Sequence, residues 1–364
     1  VFPTRFQDGV KLKRDAQGAF VIDRAHSVTT RQKAEPYRWA FQISTMQATK
    51  HGPEATEFII DGVTGEVLKK WDGMQHAAPV GKGLSQYSGT VALNTQQLDN
   101  GTYTLRDTTR ATQPHPKASQ IPDWGGVGIQ TICYDTQNAT NSIGTVAFTN
   151  TTNTWGDGTP FVWDTDWPGT MYTSHGQTAA VDAHYNIQCT WDYYANVLGR
   201  TGGIDGQGSS PISIVHMDDG YGGAWDNAAW NPNYFVMMYG DGEPTGSLTC
   251  LDVAAHEMSH GVMSSTADLS GGEASGLNEA NSDIHATMVK YYYWGANGQG
   301  NAVPDATTLA PGGKNTDAYL WTTGAQLSKD GLTPMRWLYK PSKDGFSYDA
   351  WFEGIALDDS HFSM

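Results

Sequence analysis

Hydrophobic and polar positions change their spacing along the chain, and the spacing predicts where strands lie. Before residue 76, short runs alternate polar and apolar side chains as strands do, at residues 37–43 and 57–61. A Gly-Val-Thr-Gly turn then leads into a returning strand at residues 66–68. Residues 84 to about 178 are dense in Thr, Asn and Gly, with short alternating runs such as 89–93. This texture predicts β-structure with long loops.

Beyond this region, apolar residues recur at three- and four-residue spacing, which is typical of helices. The predicted helices are residues 179–198, about 251–266 and about 276–294, with strands at 213–216 and 235–239 between the first two. The first helix stops at Gly199, which suits helix termination.

Composition and charge narrow the class of protein. The chain has 364 residues, enough for two or three domains, and a formal charge of -16. A strong anion repels nucleic acid and acidic membranes, so neither is an expected partner. No apolar run reaches the roughly 18 residues that cross a bilayer, so a membrane protein is not expected. No signal peptide opens the chain, so any such segment is expected to have been removed or left out of this sequence. Low lysine content, acidity and loops rich in Asn and Thr suit a secreted protein. Three scattered cysteines exclude a disulfide scaffold.

The string His256-Glu257-Met258-Ser259-His260 carries the clearest chemistry. Four helical residues turn through about 400°, so His256 and His260 lie on one face and can hold one Zn²⁺. Glu257 lies about 100° round the helix, where it can take a proton from a zinc-bound water. Apolar neighbours predict that this helix is buried, and burying two imidazoles and a carboxylate without a partner costs several kcal/mol. A metal ion is therefore the economical explanation.

Zinc needs a third protein ligand, and two acidic residues qualify. Glu279 follows His260 by nineteen residues, and Asp283 follows Glu279 by four. On a helix both carboxylates share a face. One can ligate zinc while the other accepts a hydrogen bond from the distal nitrogen of a ligand histidine.

These strings resemble the thermolysin-like zinc metalloproteases, through HExxH followed by Gly-Leu-Asn-Glu-Ala-Asn-Ser-Asp at residues 276–283. Five other strings in family order extend the resemblance over roughly residues 85–364. They are residues 180–194 for the long helix of the β-rich lobe, 227–230 and 238–242 for the strand at the substrate edge, and 336–345 and 359–361 for late active-site segments.

The resemblance implies an α+β fold with a β-rich N-terminal lobe, a helical C-terminal lobe and zinc in the cleft between them. It implies that His256, His260 and Glu279 bind zinc and that Glu257 is the general base. The remaining implied roles are Asp283 orienting a ligand histidine, Asn227 with the Ala228 carbonyl aligning the substrate backbone, Arg336 binding a substrate carbonyl, and His361, steered by Asp359, stabilising the oxyanion.

The resemblance also implies a domain organisation. Residues 1–76 resemble the tail of a pro-region with PepSY-like β-structure, although an ordinary small β-domain is an alternative. The predicted divisions are a linker at 77–83, a β-rich catalytic lobe at 84–250 and a helical lobe at 251–364. The pro-region is an expected partner of the catalytic part, and a monomer is expected.

Three departures from the family pattern modify these expectations. The family usually supplies an oxyanion Tyr between His260 and Glu279, and Ser270 stands about where it should be. Lys290 replaces a carboxylate of the family's calcium cluster, so Ca²⁺ is possible but the usual double site is not predicted. The chain stops at Met364, whereas the family continues through a helical bundle, so the helical lobe is expected to be truncated.

The sequence therefore predicts a secreted zinc endopeptidase acting on peptide or protein substrates. One alternative is a zinc aminopeptidase, which shares HExxH and a downstream Glu but needs an acidic anchor for a free amine. The other is a catalytically silent, zinc-stabilised homologue that acts as a binding or inhibitory protein. Retention of Glu257 argues against the silent homologue, because a purely structural zinc site has no use for an unligated carboxylate.

Overall fold

The structure is a computed structural model that divides into two compact units, Val1–His76 and Ala77–Met364. It describes residues 8–9, 12–14, 20–22, 28–29, 40–49, 52–72, 79–163, 170–242, 246–267, 269–294, 320–328, 333–345 and 347–350. Within these ranges, no helix is long and apolar enough to cross a membrane.

The first unit consists of strands in its described part. They are β1 (Asp8–Gly9), β2 (Leu12–Arg14), β3 (Phe20–Ile22), β4 (Val28–Thr29), β5 (Ala40–Thr49), β6 (Gly52–Asp61) and β7 (Val67–Asp72). Strands β5, β6 and β7 form an antiparallel sheet, so the predicted strand–turn–strand is confirmed. The Asp61 carboxylate holds the turn by accepting hydrogen bonds from the amides of Val63 and Thr64, at 2.8 and 2.9 Å.

The second unit begins with many short strands, as the turn-dense sequence predicts. They are β8 (Val80–Ser85), β9 (Gly89–Asn94), β10 (Gln96–Gln97), β11 (Tyr103–Thr104), β12 (Arg106–Asp107), β13 (Ile129–Tyr134), β14 (Thr145–Ala147), β15 (Thr149–Asn150), β16 (Thr154–Trp155), β17 (Ile212–Met217), β18 (Ala228–Asn231), β19 (Val236–Gly242) and β20 (Gly246–Ser247). The later strands are β21 (Thr322–Thr323) and β22 (Arg336–Trp337), with 3₁₀ turns at Pro122–Trp124, Ala325–Leu327 and Pro341–Asp344.

Seven of these strands form one mixed sheet with the order β12–β13–β17–β19–β18, to which β14 and β20 are added. Strands β13, β17 and β19 run parallel, while β18 pairs antiparallel with β19 and forms an edge. The parallel strands β13 and β17 are buried along most of their length, as is typical of parallel strands covered on both faces. The sheet thereby supports an edge strand beside the helices.

In the residues that the structure describes, this unit has the helices α1 (Gln177–Asn196), α2 (Leu251–Thr266) and α3 (Glu273–Trp294). Helix α1 buries most of its residues in the main core, where it contacts β8, β9, β13, β17 and α2. Helix α2 buries its whole first half, which includes Asp252, His256 and Glu257, and packs on α3. Strands and helices occur together as expected, and the predicted bounds of α2 are confirmed.

Helix α3 begins three residues before the predicted start. Gly271 and Gly272 both adopt positive φ, so the backbone turns there and not at Gly276, which is buried inside the helix. Glu273 then supplies an acidic residue to the first turn, where the helix dipole favours it.

Close packing joins α2 to the edge strand β18. A Cβ added at Gly261 of α2 would lie 2.9 Å from Ile204 Cγ2 and 3.2 Å from the Trp230 ring. The Trp230 indole N–H also donates to Ser264 Oγ at 3.1 Å. Strand and helix are therefore held in one fixed arrangement. The three cysteines, Cys133, Cys189 and Cys250, are buried free thiols.

A buried histidine of α1 makes the stability of this unit depend on pH. His184 is fully buried, with Nε2 2.8 Å from the Asn94 carbonyl and Nδ1 3.1 Å from Thr131 Oγ1. Burial lowers its pKa from 6.5 to about 4. The unfolded chain therefore binds more protons below pH 6.5, and the stability that neutral His184 contributes is lost as the pH falls from 6.5 towards 4.

We expect His184→Gln to reduce this acid sensitivity. The parent should lose about 2 kcal/mol of unfolding free energy through His184 between pH 7 and pH 5, and the variant should lose correspondingly less. Urea unfolding at the two pH values measures the difference. Equal losses in parent and variant would show that His184 does not couple folding to protons.

Candidate metal centre

Two histidines of α2 point their Nε2 atoms at one place. His256 and His260 lie one helical turn apart, and their Nε2 atoms are 2.9 Å apart. Their rings meet edge to face, with a centroid distance of 4.5 Å and an interplanar angle of 87°. The side chains are largely buried, at 8% and 15% exposure. The i,i+4 spacing thus brings both imidazoles to a common point.

Glu279 of α3 supplies a carboxylate to the same point. Its Oε2 lies 3.2 Å from His256 Nε2 and 3.6 Å from His260 Nε2. The three potential ligand atoms lie within 4.8 Å of one another, which makes this a group that could hold a metal ion. The structure therefore brings together the three side chains that the sequence predicts as zinc ligands.

Hydrogen bonds behind the rings fix which nitrogen faces inward. His256 Nδ1 lies 2.8 Å from Asp283 Oδ1, and His260 Nδ1 lies 2.9 Å from Asn278 Oδ1. Both acceptors place the proton of a neutral ring on Nδ1, which leaves the Nε2 lone pairs free to ligate. Asp283 lies where the sequence predicts a residue that orients a ligand histidine.

The sequence interpretation missed Asn278 and Ser282. Ser282 Oγ lies 3.1 Å from His260 Nδ1, and the Asn278 amide donates to the Leu269 carbonyl at 3.2 Å. The sequence did contain a signal for them. Asn278 and Ser282 are four residues apart, and they directly precede Glu279 and Asp283 on the same helix. Applying the i,i+4 rule to polar neutral residues would have found them.

The donor set fits a zinc ion. Two neutral imidazoles with Nδ1 protonated would oppose lone pairs across 2.9 Å, which is unfavourable unless a proton or a metal ion lies between them. The carboxyl groups of Glu257, Glu279 and Asp283 surround the two imidazoles, and the nearby cation is the Arg336 guanidinium together with a protonated His256. A divalent cation that displaced the His256 proton would supply its positive charge, and two imidazoles with one carboxylate form a zinc ligand set.

Nearby charges shift the protonation of this cluster. Burial lowers the pKa of His256, but hydrogen bonds to Asp283 and Glu279 outweigh it and raise the pKa to about 10. Burial raises the pKa of Asp283, but Arg336 and His256 outweigh it and hold that pKa well below its ordinary value. Asp283 is therefore an anion throughout the physiological range, and a proton and a metal compete for His256 Nε2.

Arg336 lies beside the cluster on β22. Its Nε and Nη2 donate to the two oxygens of Asp283 at 2.6 and 2.8 Å, a bidentate pair in which the carboxylate is buried. Arg336 also lines the cavity described below. Two guanidinium nitrogens thus bind Asp283, and Arg336 lies where it can contact a molecule bound in the cavity.

Glu257 is next to the three potential ligands but is not among them. It is 6% exposed, and burial raises the pKa of its carboxyl group, with a smaller opposing effect from the two histidines. The backbone N–H of Trp230 on the edge strand β18 has a small lowering effect on the same pKa. A carboxylate with a raised pKa at this place is suited to accept and return a proton.

The cluster opens into a cavity of about 780 Å³. The edge strand β18, from Ala228, and Asn227 just before it form one side, and the sequence predicts both residues as substrate contacts. Asn227 is exposed, with its Oδ1 2.9 Å from the Ala228 amide. Apolar contributions come from Trp230, Leu248, Val253, Leu269 and Met335. Ser270 lines the cavity as well. Two predicted site residues, Asp359 and His361, lie outside the described residues.

We expect Asp283→Asn to weaken metal binding. The change removes the anion behind His256 and leaves the Arg336 guanidinium without its bidentate partner. Loss of such an outer partner typically costs 10- to 100-fold in metal affinity. Zinc competition against a chromophoric chelator measures the change. Asp219→Asn, which alters an exposed loop carboxylate, is the control, and equal affinities for both variants would contradict the assignment.

Comparison with known proteins identifies what the chain is similar to. Residues 80–264 match the sequence profile described as thermolysin metallopeptidase, catalytic domain. A transglutaminase-activating metalloprotease of Streptomyces mobaraensis is 38% identical over 312 residues, which is 85% of this chain and 33% of that protein. Bacillolysin of Bacillus subtilis (strain 168) is 34% identical over 250 residues, which is 68% of this chain and 40% of the relative. The chain thus spans well under half the length of these relatives.

Among solved structures, a precursor of protealysin, a metalloproteinase from Serratia proteamaculans, is 25% identical and has a TM-score of 0.32. The match covers 45% of this chain and 44% of that one.

Proposed function

This chain belongs to the thermolysin metallopeptidase family, and from that membership we propose that it is a zinc-dependent endopeptidase with Glu257 as its general base. The observation that carries the proposal is the meeting of His256 Nε2, His260 Nε2 and Glu279 Oε2 at one point of a cavity beside an edge strand.

We assign zinc to these three side chains. When bound, Zn²⁺ supplies Lewis acidity, which lowers the pKa of water towards about 7 and polarises a peptide carbonyl. The chain's own contribution is to hold the ligand tautomers, through Asp283 on His256 and Asn278 on His260. Rigid ligand orientation of this kind raises affinity and keeps the cavity side of the cluster open for a substrate.

Glu257 moves the proton. Glu257 directly follows His256 and lines the same cavity as the ligands. It accepts a proton from the attacking water and returns it to the leaving amine. Burial, which raises its pKa, brings its proton affinity closer to what both transfers need.

The edge strand β18 provides the substrate's docking edge. In the described residues no strand pairs with its outer side, so its backbone amides and carbonyls can pair with an extended peptide. Asn227 and the Ala228 carbonyl lie at the start of this edge and would align the peptide backbone. The apolar lining from Leu248, Val253 and Met335 would receive a hydrophobic side chain of the substrate.

Binding of a substrate carbonyl is assigned to Arg336, and stabilisation of the oxyanion to His361. Arg336 is pre-oriented by its bidentate pair with Asp283, which lowers the entropy cost of a further hydrogen bond. His361, steered by Asp359, remains a prediction from the family resemblance. An oxyanion donor is worth about 3 kcal/mol of transition-state stabilisation, so loss of His361 should slow the enzyme without abolishing activity.

The proposal also covers the maturation, secretion and oligomeric state of the protein. We propose that Val1–His76 is the tail of a pro-region and that the catalytic part is released by a cut near residues 77–83. The separate compactness of Val1–His76 and Ala77–Met364 supports this division. We also propose that the enzyme is secreted and monomeric, in keeping with the family it resembles.

Hydrolysis of a peptide blocked at both ends tests the proposed reaction class. An endopeptidase cuts such a peptide at an internal bond, and mass spectrometry of the products gives the position. An aminopeptidase would leave the blocked peptide intact and release residues only from a matched peptide with a free amine. A catalytically silent homologue would cut neither peptide, and either of these outcomes would overturn the proposal.

A further inference from the structure

A lysine lies in the interior near the candidate metal centre, where the proposed reaction does not use it. Lys290 of α3 is 1% exposed, although lysine is almost never fully buried without a partner. Its ammonium lies 3.2 Å from Asp252 Oδ2 and donates to the Thr322 carbonyl. The buried charge is thus paired with a carboxylate and a backbone oxygen.

Asp252 is the centre of a saturated set of hydrogen bonds. The Gly324 amide donates to its Oδ2 at 2.9 Å, and the Val253 amide and the Cys250 thiol donate to its Oδ1 at 3.0 Å each. Burial raises the pKa of Asp252, but Lys290 and these donors outweigh it and lower that pKa below its ordinary value. Asp252 and Lys290 therefore form a buried ion pair.

This ion pair joins the three elements that carry the metal centre. Asp252 precedes His256 by one turn of α2. Lys290 follows Asp283 by seven residues on the same face of α3, about 10 Å along the axis. Thr322 belongs to β21, whose hairpin partner β22 carries Arg336 opposite Thr323. The Lys290 ammonium on α3 therefore contacts both α2, through Asp252, and the β21–β22 hairpin, through Thr322.

We propose that Lys290 is a positioning residue for the metal centre, its ammonium acting as a built-in cation that fixes α2, α3 and the β21–β22 hairpin relative to one another. The inference rests on the proposed function for its effect on catalysis, but its effect on zinc binding can be measured without substrate. The geometry that Lys290 sets includes the distance between His256 on one helix and Glu279 on the other.

In this proposal the positive charge of Lys290 holds the three elements together. Reversing that charge with Lys290→Glu therefore tests the proposal. The groups around the ammonium, Asp252 Oδ2 and the Thr322 carbonyl, are hard oxygen donors. Lys290→Glu would add another carboxylate and remove the internal cation. Such a set of oxygens suits Ca²⁺, so a cation from solution should replace the missing charge.

Two variants and a matched control test the proposal. Lys290→Met keeps much of the volume and removes the charge, and we expect about tenfold weaker zinc binding and about tenfold lower kcat, with KM changed less than twofold. Lys290→Glu should bind zinc as weakly in buffer with chelated calcium, and millimolar Ca²⁺ should raise its Tm by about 5 °C and restore zinc affinity. Lys343→Met and Lys343→Glu, at an exposed lysine, should behave as the parent.

Unchanged zinc affinity and kcat in Lys290→Met would overturn the proposal, since the lysine would then only fill space. If that variant is too unstable to purify, Lys290→Glu carries the test alone, and the absence of any Ca²⁺ response in its Tm and zinc affinity would overturn it. Failure of the proposed function looks different: the parent itself would cut no peptide, while the zinc affinities of the variants would still report on Lys290.

Discussion

Glu257→Gln should reduce hydrolysis of a blocked peptide by about 10²- to 10⁴-fold, the range that a positioned general base contributes. The amide has nearly the shape of the carboxylate but cannot accept the proton. Because Glu257 is not among the three potential ligand atoms, bound zinc should stay stoichiometric in the variant. Initial rates and zinc content measured on the same preparation separate the two effects.

The matched control for this variant is Glu273→Gln, which alters an exposed carboxylate in the first turn of α3, outside the residues that line the cavity. It should keep the parent's rate. A Glu257→Gln protein that retained more than about a tenth of the parent activity would remove Glu257 from the proton-transfer role. A variant that lost its zinc would show that the residue acts on metal binding instead.

Removal of the metal should abolish hydrolysis completely. Treatment with a strong chelator strips the ion from His256, His260 and Glu279, and His260→Ala deletes one of the three ligands. Without the ion the attacking water and the substrate carbonyl lose their activation, so activity should fall to background in both cases. Adding back Zn²⁺ in slight excess should restore the chelated parent but not the variant, as measured by initial rates.

His175→Ala is the control for His260→Ala, because His175 is a partly buried histidine that does not line the cavity. Its zinc content and activity should match those of the parent. Chelated protein that continued to cleave the blocked peptide at the parent rate would exclude a metal-dependent reaction. Full activity of His260→Ala would exclude that residue as a necessary ligand.

The spacing of apolar residues predicts much of this fold, because residues on the buried face of a helix or strand must be apolar. Helix α2 follows the apolar spacing from Leu251 to Thr266, and the HExxH string needs only helical geometry to bring two imidazoles together. Glu279 and Asp283 could be predicted as a pair by the same rule, although spacing alone did not decide which one lies nearer both Nε2 atoms. The structure shows Glu279 facing the Nε2 atoms and Asp283 behind His256.

Features that depend on tertiary contacts cannot be predicted from the spacing of residues along the chain. Nothing local in the sequence indicates that Arg336 forms a bidentate pair with Asp283, because the two residues are 53 positions apart. The predicted start of α3 at about residue 276 is three residues late, because Gly276 lies inside the helix, where its lack of a side chain suits a buried position. The buried state of Lys290 likewise becomes visible only when α2 and the β21–β22 hairpin are packed around it.

The three unbonded thiols have a consequence for the handling of the protein. A peptidase in concentrated solution is exposed to attack by its own copies, and cystine bridges often hold together a chain that has been nicked. Cys133, Cys189 and Cys250 form no such bridge, so fragments from a cut would be retained by packing alone. Under the proposed endopeptidase activity, self-digestion should therefore follow the frequency of local unfolding, and conditions that suppress opening should preserve the intact polypeptide during storage.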